Sequence, residues 1–158
     1  MYLAHSANEV GVTHPLKTHL ASVSQLTRKF YGKYPAADEA ALAGLLHDLG
    51  KYGDRFQRRL EGKDSGLDHW SQGASLALTE FKAVAAALAI EGHHIGLQRG
   101  SRKSLRRLLP ETLATNVLPG LALSDPDIAR LCSRAVADGL DFRKPAANAV
   151  TSWTQAIA

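Results

Sequence analysis

Cysteine is almost absent: Cys132 stands alone in 158 residues. That excludes an internal disulfide and any thiolate-built zinc site, and it reads as a reducing, cytoplasmic setting. Aromatic residues are scarce at 6%, too few for a long base-stacking platform. The longest apolar run, Ala83 to Ile90, falls far short of the ~20 residues a membrane span needs. The opening MYLAHSANEV lacks the basic-then-apolar layout of a secretory leader, so no membrane partner is expected. No G-x-x-x-x-G-K-[ST] loop occurs, which excludes a P-loop ATPase within this chain. No stretch alternates apolar and polar residues in the manner of a half-buried strand.

What is present reads as one helical domain over residues 1–158. Hydrophobic residues reach 45% and charged residues 22%, as in an ordinary globule. A chain of this length buries a sufficient core without a metal staple, so a metal site here points to function. Lys plus Arg exceeds Asp plus Glu by 19 − 15 = 4, a mild surplus.

The spacing predicts a first helix with Leu16, Leu20, Val23, Thr27 and Phe30 on its buried face. A second runs from about Ala36 to Leu49, with Gly50 as its stop. A short third spans about Tyr52 to Leu60, a fourth begins near His69, and an alanine-rich fifth covers about Phe81 to Glu91. Ser124-Asp125-Pro126-Asp127 signals a later helix reaching Asp138, and Pro145 opens a last one. The expected fold class is all-α.

Seven histidines are the unusual number. His19 lies on the apolar face of the first helix. His47-Asp48 closes the second, in the string LLHDLGK, and Lys51 follows where it can meet a phosphate oxygen. Asp68-His69 opens the fourth helix, with Asp68 as its cap. His93-His94 ends the fifth, and two adjacent imidazoles are expected to converge only if the helix frays at Gly92. Each feature has an ordinary structural explanation alone. Together they supply imidazole and carboxylate ligands without thiolate, a set suited to Mn, Fe, Co, Ni or Zn, with oxygen-preferring Mg a weaker fit. Six or seven ligands exceed the needs of one ion. Two ions about 3.5–4 Å apart, sharing a carboxylate, would use them all in phosphoester hydrolysis.

His19, His47-Asp48 and a late aspartate resemble the H…HD…D signature of the HD phosphohydrolase superfamily, a helical bundle. The strings AHS, HPLKTHL, LLHDLGK, DHWSQGA and His93-His94 narrow the resemblance to the HD nuclease of type I CRISPR interference systems. It covers roughly residues 3 to 141. The resemblance implies two divalent transition-metal ions. One would be held by His19, His47, Asp48 and a late aspartate; the other would share Asp48 and take His69, His93 and His94. It also implies cleavage of single-stranded DNA beside a helicase domain or subunit of the interference complex. Asp138, in AVADGLD, matches the late aspartate best, and Asp141 is second. Asp125 and Asp127 look like helix-start residues. The sequence departs from the family at Ile95, which separates the paired histidines from Gly96, and at Trp70, where serine is common.

Residues 99–107, RGSRKSLRR, carry Arg99, Arg102, Lys103, Arg106 and Arg107 with no acidic residue among them. A basic loop directly after His93-His94 suits a nucleic-acid backbone; a solvated face or a docking surface is the plainer reading. The alternative enzyme is an HD phosphohydrolase acting on nucleotides or cyclic nucleotides, which leaves this loop without a role. A catalytically silent helicase scaffold is a third reading. His5 and His14 match no ligand position and are expected to stay clear of any ion.

Overall fold

The computed structural model describes residues 1–146. The helix expected from Pro145 falls almost wholly outside them. Helices α1 (Leu16–Tyr31), α2 (Ala37–Leu46), α3 (Asp54–Leu60), α4 (Ser71–Thr79), α5 (Val84–Ile95), α6 (Arg102–Arg106), α7 (Pro110–Leu113) and α8 (Ile128–Ala137) make up the bundle. The fold is helical, as expected. Two small strand pairs were not expected: β1 (Leu3–His5) runs antiparallel to β2 (His14–Pro15), and β3 (Leu67–Asp68) runs parallel to β4 (Ala122–Leu123). Two or three residues per strand are too few to register as alternation. Among the described residues no helix is long and apolar enough to cross a membrane.

Helix α2 packs against α1, α4 and α5, and two glycines set how closely. A Cβ on Gly44 would lie 2.7 Å from the Ser24 backbone of α1. On Gly73 it would lie 1.9 Å from the Leu46 carbonyl oxygen. The helix-interior glycines therefore admit neighbouring backbone, which offsets their cost of about 1 kcal/mol relative to alanine. Leu16, Leu20, Leu46, Leu49, Leu78, Ile90 and Leu131 are fully buried, each contributing about 1.5–3 kcal/mol. Phe30 departs from the expected buried face of α1: it is 76% exposed, at the edge of an open groove that it lines with Ala40 and Ala43 of α2.

Several boundaries move for local reasons. Helix α2 stops at Leu46, and a 3-10 turn over Leu49–Tyr52 replaces its expected last turn. Helix α4 starts at Ser71, where Asp68 Oδ1 accepts from the Trp70 and Ser71 amides at 3.1 and 2.9 Å. Helix α8 starts at Ile128, capped by Asp127, whose Oδ1 accepts from the Arg130 amide at 2.9 Å. Ser124 is instead buried as a stitch. Its hydroxyl donates to the Gly50 carbonyl at 2.7 Å and accepts from Gln72 Nε2 at 3.0 Å.

Candidate metal centre

The centre forms where the end of α2 meets α1, the start of α4 and the end of α5. His47 keeps helical backbone angles, but Asp48 leaves the helix at φ −120°. Its carboxylate is thereby buried while the histidines of three other elements reach it. His19 comes from α1, His69 from just before α4, and His93 and His94 from the last turn of α5.

Three of these rings are anchored through Nδ1 to backbone carbonyls. His47 Nδ1 lies 2.8 Å from the Gly44 oxygen, His69 Nδ1 lies 3.4 Å from Leu67, and His93 Nδ1 meets Ile90. A carbonyl accepts only, so Nδ1 carries a proton and Nε2 is the atom each ring turns inward; in the neutral tautomer it brings its lone pair there. The inward atoms converge on Asp48. His47 Nε2 and His19 Nε2 stand 3.1 and 3.2 Å from Oδ2, and His69 Nε2 and His93 Nε2 stand 3.4 and 3.8 Å from Oδ1. His19 Nε2 and His47 Nε2 are also 3.1 Å apart. Lone pairs facing a carboxylate and one another repel unless a cation lies among them. A metal ion, or protons competing for the same sites, supplies it.

Charge and burial point the same way. Burial alone pushes the Asp48 carboxyl up, but the side chains of His19, His47 and His93 outweigh it and hold the group well below the usual carboxylate range. Asp48 Oδ1 is nevertheless buried without a hydrogen-bond partner among the described residues. Burial lowers His69 to about 3, despite the nearby Asp48 charge, and lowers His94 to about 4. Both rings are therefore neutral, with lone pairs free, at neutral pH.

Two candidate ligand groups share Asp48: His19, His47 and Asp48, and Asp48, His69 and His94, with the ligand atoms of each within 4.8 Å of one another. The donors fit one or two divalent ions of the nitrogen-accepting kind. His93 sits at the rim of both, its ring centroid 5.3 Å from His47 and 4.1 Å from His94. The expected fraying at Gly92 does not occur, since α5 continues through both histidines to Ile95. The two rings converge without it, their centroids 4.1 Å apart and both within reach of Asp48. Gly92 serves the returning chain, because a Cβ there would meet the Leu97 backbone at 3.3 Å.

Two sequence expectations change. Lys51 does not face outward for a phosphate: it is buried, with Nζ 2.9 Å from Asp48 Oδ2 and donating to the Ala4 carbonyl at 3.0 Å. Strand β1 covers it, so it holds Asp48. Asp138 joins neither ligand group; it accepts from the Tyr52 hydroxyl at 3.1 Å. Burial and the Asp138 charge push that phenol up, which keeps it a donor. Gly139, at φ +100°, turns the chain away just after α8. Asp141 is exposed and paired with Arg143, and Asp125 is paired with Arg130 at 2.7 Å. Trp70 is buried, with the His94 ring 4.3 Å away, so its own ring is not offered to a base.

The basic segment enters α6, capped by Ser101, whose hydroxyl accepts from the Ser104 amide at 3.2 Å. Arg99, Arg102, Lys103 and Arg106 are exposed. Arg102, Lys103, Arg106 and Arg107 line one open depression with Thr112 and Asn116. Arg107 differs from the others: it is half-buried, with Nη2 3.9 Å from Oε1 of the buried Glu91. It therefore ties the segment to α5 next to the histidine pair.

The sequence reading missed His5 and His14. The β1–β2 pairing sets them opposite each other. Their ligand atoms and that of His19 lie within 4.8 Å of one another. Only the register of that two-strand pair reveals this, and spacing along the chain does not encode it. No curated protein matches the chain. A family model described as HD domain matches residues 16–141, the span from the start of α1 to just past α8. With that match lying over a histidine cluster built around one shared aspartate, the chain belongs to the HD domain family and is a metal-dependent hydrolase.

Proposed function

We propose that this chain is the nuclease of a type I CRISPR interference system, a deoxyribonuclease that cuts single-stranded DNA in the cytoplasm beside a partner helicase. The observation that carries the reading is Asp48, whose two oxygens each face a different set of histidines. That arrangement suits two divalent ions bridged by one carboxylate. His19, His47 and Asp48 would hold one, and Asp48, His69 and His94 the other, with His93 beside both. Such ions supply Lewis-acid activation of water and neutralise charge at a phosphodiester. Mn, Fe, Co, Ni and Zn fit the imidazole donors, and Mg fits them less well.

The chain's own residues supply the rest. The carbonyls of Gly44, Leu67 and Ile90 fix the rings of His47, His69 and His93. Lys51 keeps Asp48 ionised and oriented. The exposed Arg99, Arg102, Lys103 and Arg106 provide phosphate contacts close to the histidine pair, and Arg107 anchors them. This basic face, together with the AHS, HPLKTHL and DHWSQGA strings, favours a polymeric substrate over a free nucleotide. A duplex is too stiff to enter a pocket among helix ends, so strand opening falls to the partner.

The test compares single-stranded DNA, RNA, cyclic nucleotides and mononucleotides with Mn added to the purified chain. Cleavage of single-stranded DNA without ATP, with blunt duplex left largely intact, is expected. Turnover of nucleotides alone would reassign the chain to the nucleotide-acting branch of the superfamily.

A further inference from the structure

The cross-strand pair His5–His14 lies outside the ligand set just described, yet it is aimed at it. The ring of His19 stands edge-on to both, with centroids 5.4 Å from His5 and 5.7 Å from His14, while His5 and His14 are stacked at 6.4 Å. His5 and His14 are exposed and His19 is half-buried. We propose that His5, His14 and His19 form an outer transition-metal site at the mouth of the centre, which shares His19 with the inner site and competes for it.

Three imidazoles without a carboxylate select Zn, Co, Ni or Cu over Mg, Mn or Ca. Nitrogens bound to one such ion at about 2.0–2.1 Å lie roughly 3.3–3.5 Å apart in tetrahedral geometry. The three candidate atoms are within 4.8 Å, so closure needs only about an ångström of movement. Exposed rings on strands of three and two residues can supply it. The fourth position would remain open to solvent. Lys51, whose charge reaches His5, is paired with Asp48 at 2.9 Å, which offsets its repulsion.

Sharing His19 has a chemical consequence. A neutral imidazole has one lone pair, and His19 Nε2 already stands 3.2 Å from Asp48 Oδ2. His19 therefore serves the inner ion or the outer one, not both. At low metal the buried, charged inner group wins. In excess, a nitrogen-preferring ion captured by His5 and His14 withdraws His19 and slows the enzyme. The inhibition rests on the two-metal reading above; the outer site itself does not.

Equilibrium dialysis against Co²⁺ tests the site with the inner centre weakened. Asp48→Asn removes the bridging carboxylate while preserving its shape. We expect Asp48→Asn to bind one more Co²⁺ per chain than Asp48→Asn/His5→Ala/His14→Ala. Equal stoichiometry in the two proteins would overturn the outer site and leave the inner centre untouched. Full retention of Co²⁺ by Asp48→Asn relative to wild type would instead refute the inner reading, and the difference between the two variants would still decide the outer one. In the otherwise native chain, His5→Ala/His14→Ala should raise the Zn²⁺ concentration that half-inhibits hydrolysis at least tenfold. No shift would overturn the competition for His19.

Discussion

The two sides of Asp48 are built differently. On one side His69 is buried against Phe56 and Trp70, with ring centroids 4.9 and 5.3 Å away, and His94 lies over Trp70. On the other, His19 and His47 are half-buried, with side chains 19% and 16% exposed, and the exposed His5 and His14 gather outside them. The difference teaches how one carboxylate can serve two unequal positions. Burial strips the proton from His69 and His94, so their lone pairs are ready over a wide pH range. The His19 side continues outward to two more imidazoles, those of His5 and His14, and with them comes exposure to competing ions.

The largest effect should follow from removing what the two sides share. Asp48→Asn is expected to lower hydrolysis by about 10³-fold or more, as losing several kcal/mol of metal-centred stabilisation requires, and to reduce metal content on both sides. Loss of one ion alone, measured by metal analysis, would break the symmetry of the comparison. Next comes Lys51→Met, which leaves the buried Asp48 charge without its ammonium. Breaking such a buried pair costs about 3–5 kcal/mol. Thermal unfolding of the metal-free variant should show this loss, and added Mn should recover part of it. An unchanged melting temperature would free Lys51 for a role at the substrate.

Acidity separates the two sides further. His69 titrates in the folded protein at about 3 against about 6.5 in an unfolded chain. The unfolded state thus binds more protons between those values, and folded stability falls as pH drops through that window. Denaturant unfolding of the metal-free protein should show this slope, and His69→Gln should flatten it below pH 6.5. The smallest effect belongs to the basic face. Arg102→Ala/Lys103→Ala/Arg106→Ala should raise KM and flatten the dependence of rate on salt while sparing kcat. A kcat loss equal to the KM change would place one of these residues at the reacting phosphate.

The helices and most of the centre were legible in the sequence because their signals are local. Leu16, Leu20, Leu42 and Leu46 recur at helical spacing and are buried, and His47-Asp48 could be singled out as neighbours. Gly44 and Gly73 admit the backbones of α1 and α2. What could not be read depends on partners distant in the chain. Lys51 turns inward because the Ala4 carbonyl, 47 residues away, meets its ammonium. Asp138 is engaged by Tyr52 across 86 residues. The Ser124 signal for a helix start was a true capping residue type used for another purpose, a buried link between Gly50 and Gln72. His5 and His14 acquire meaning only through strand register.

The central claim is that Asp48 is shared by two metal positions. Crystals of the chain soaked with Mn²⁺, with diffraction collected at the Mn absorption edge, test it most directly. The account predicts two anomalous peaks, one on each side of the Asp48 carboxylate, the first among His19 and His47 and the second among His69 and His94. A single peak, or peaks that leave Asp48 bound only to Lys51, would contradict it.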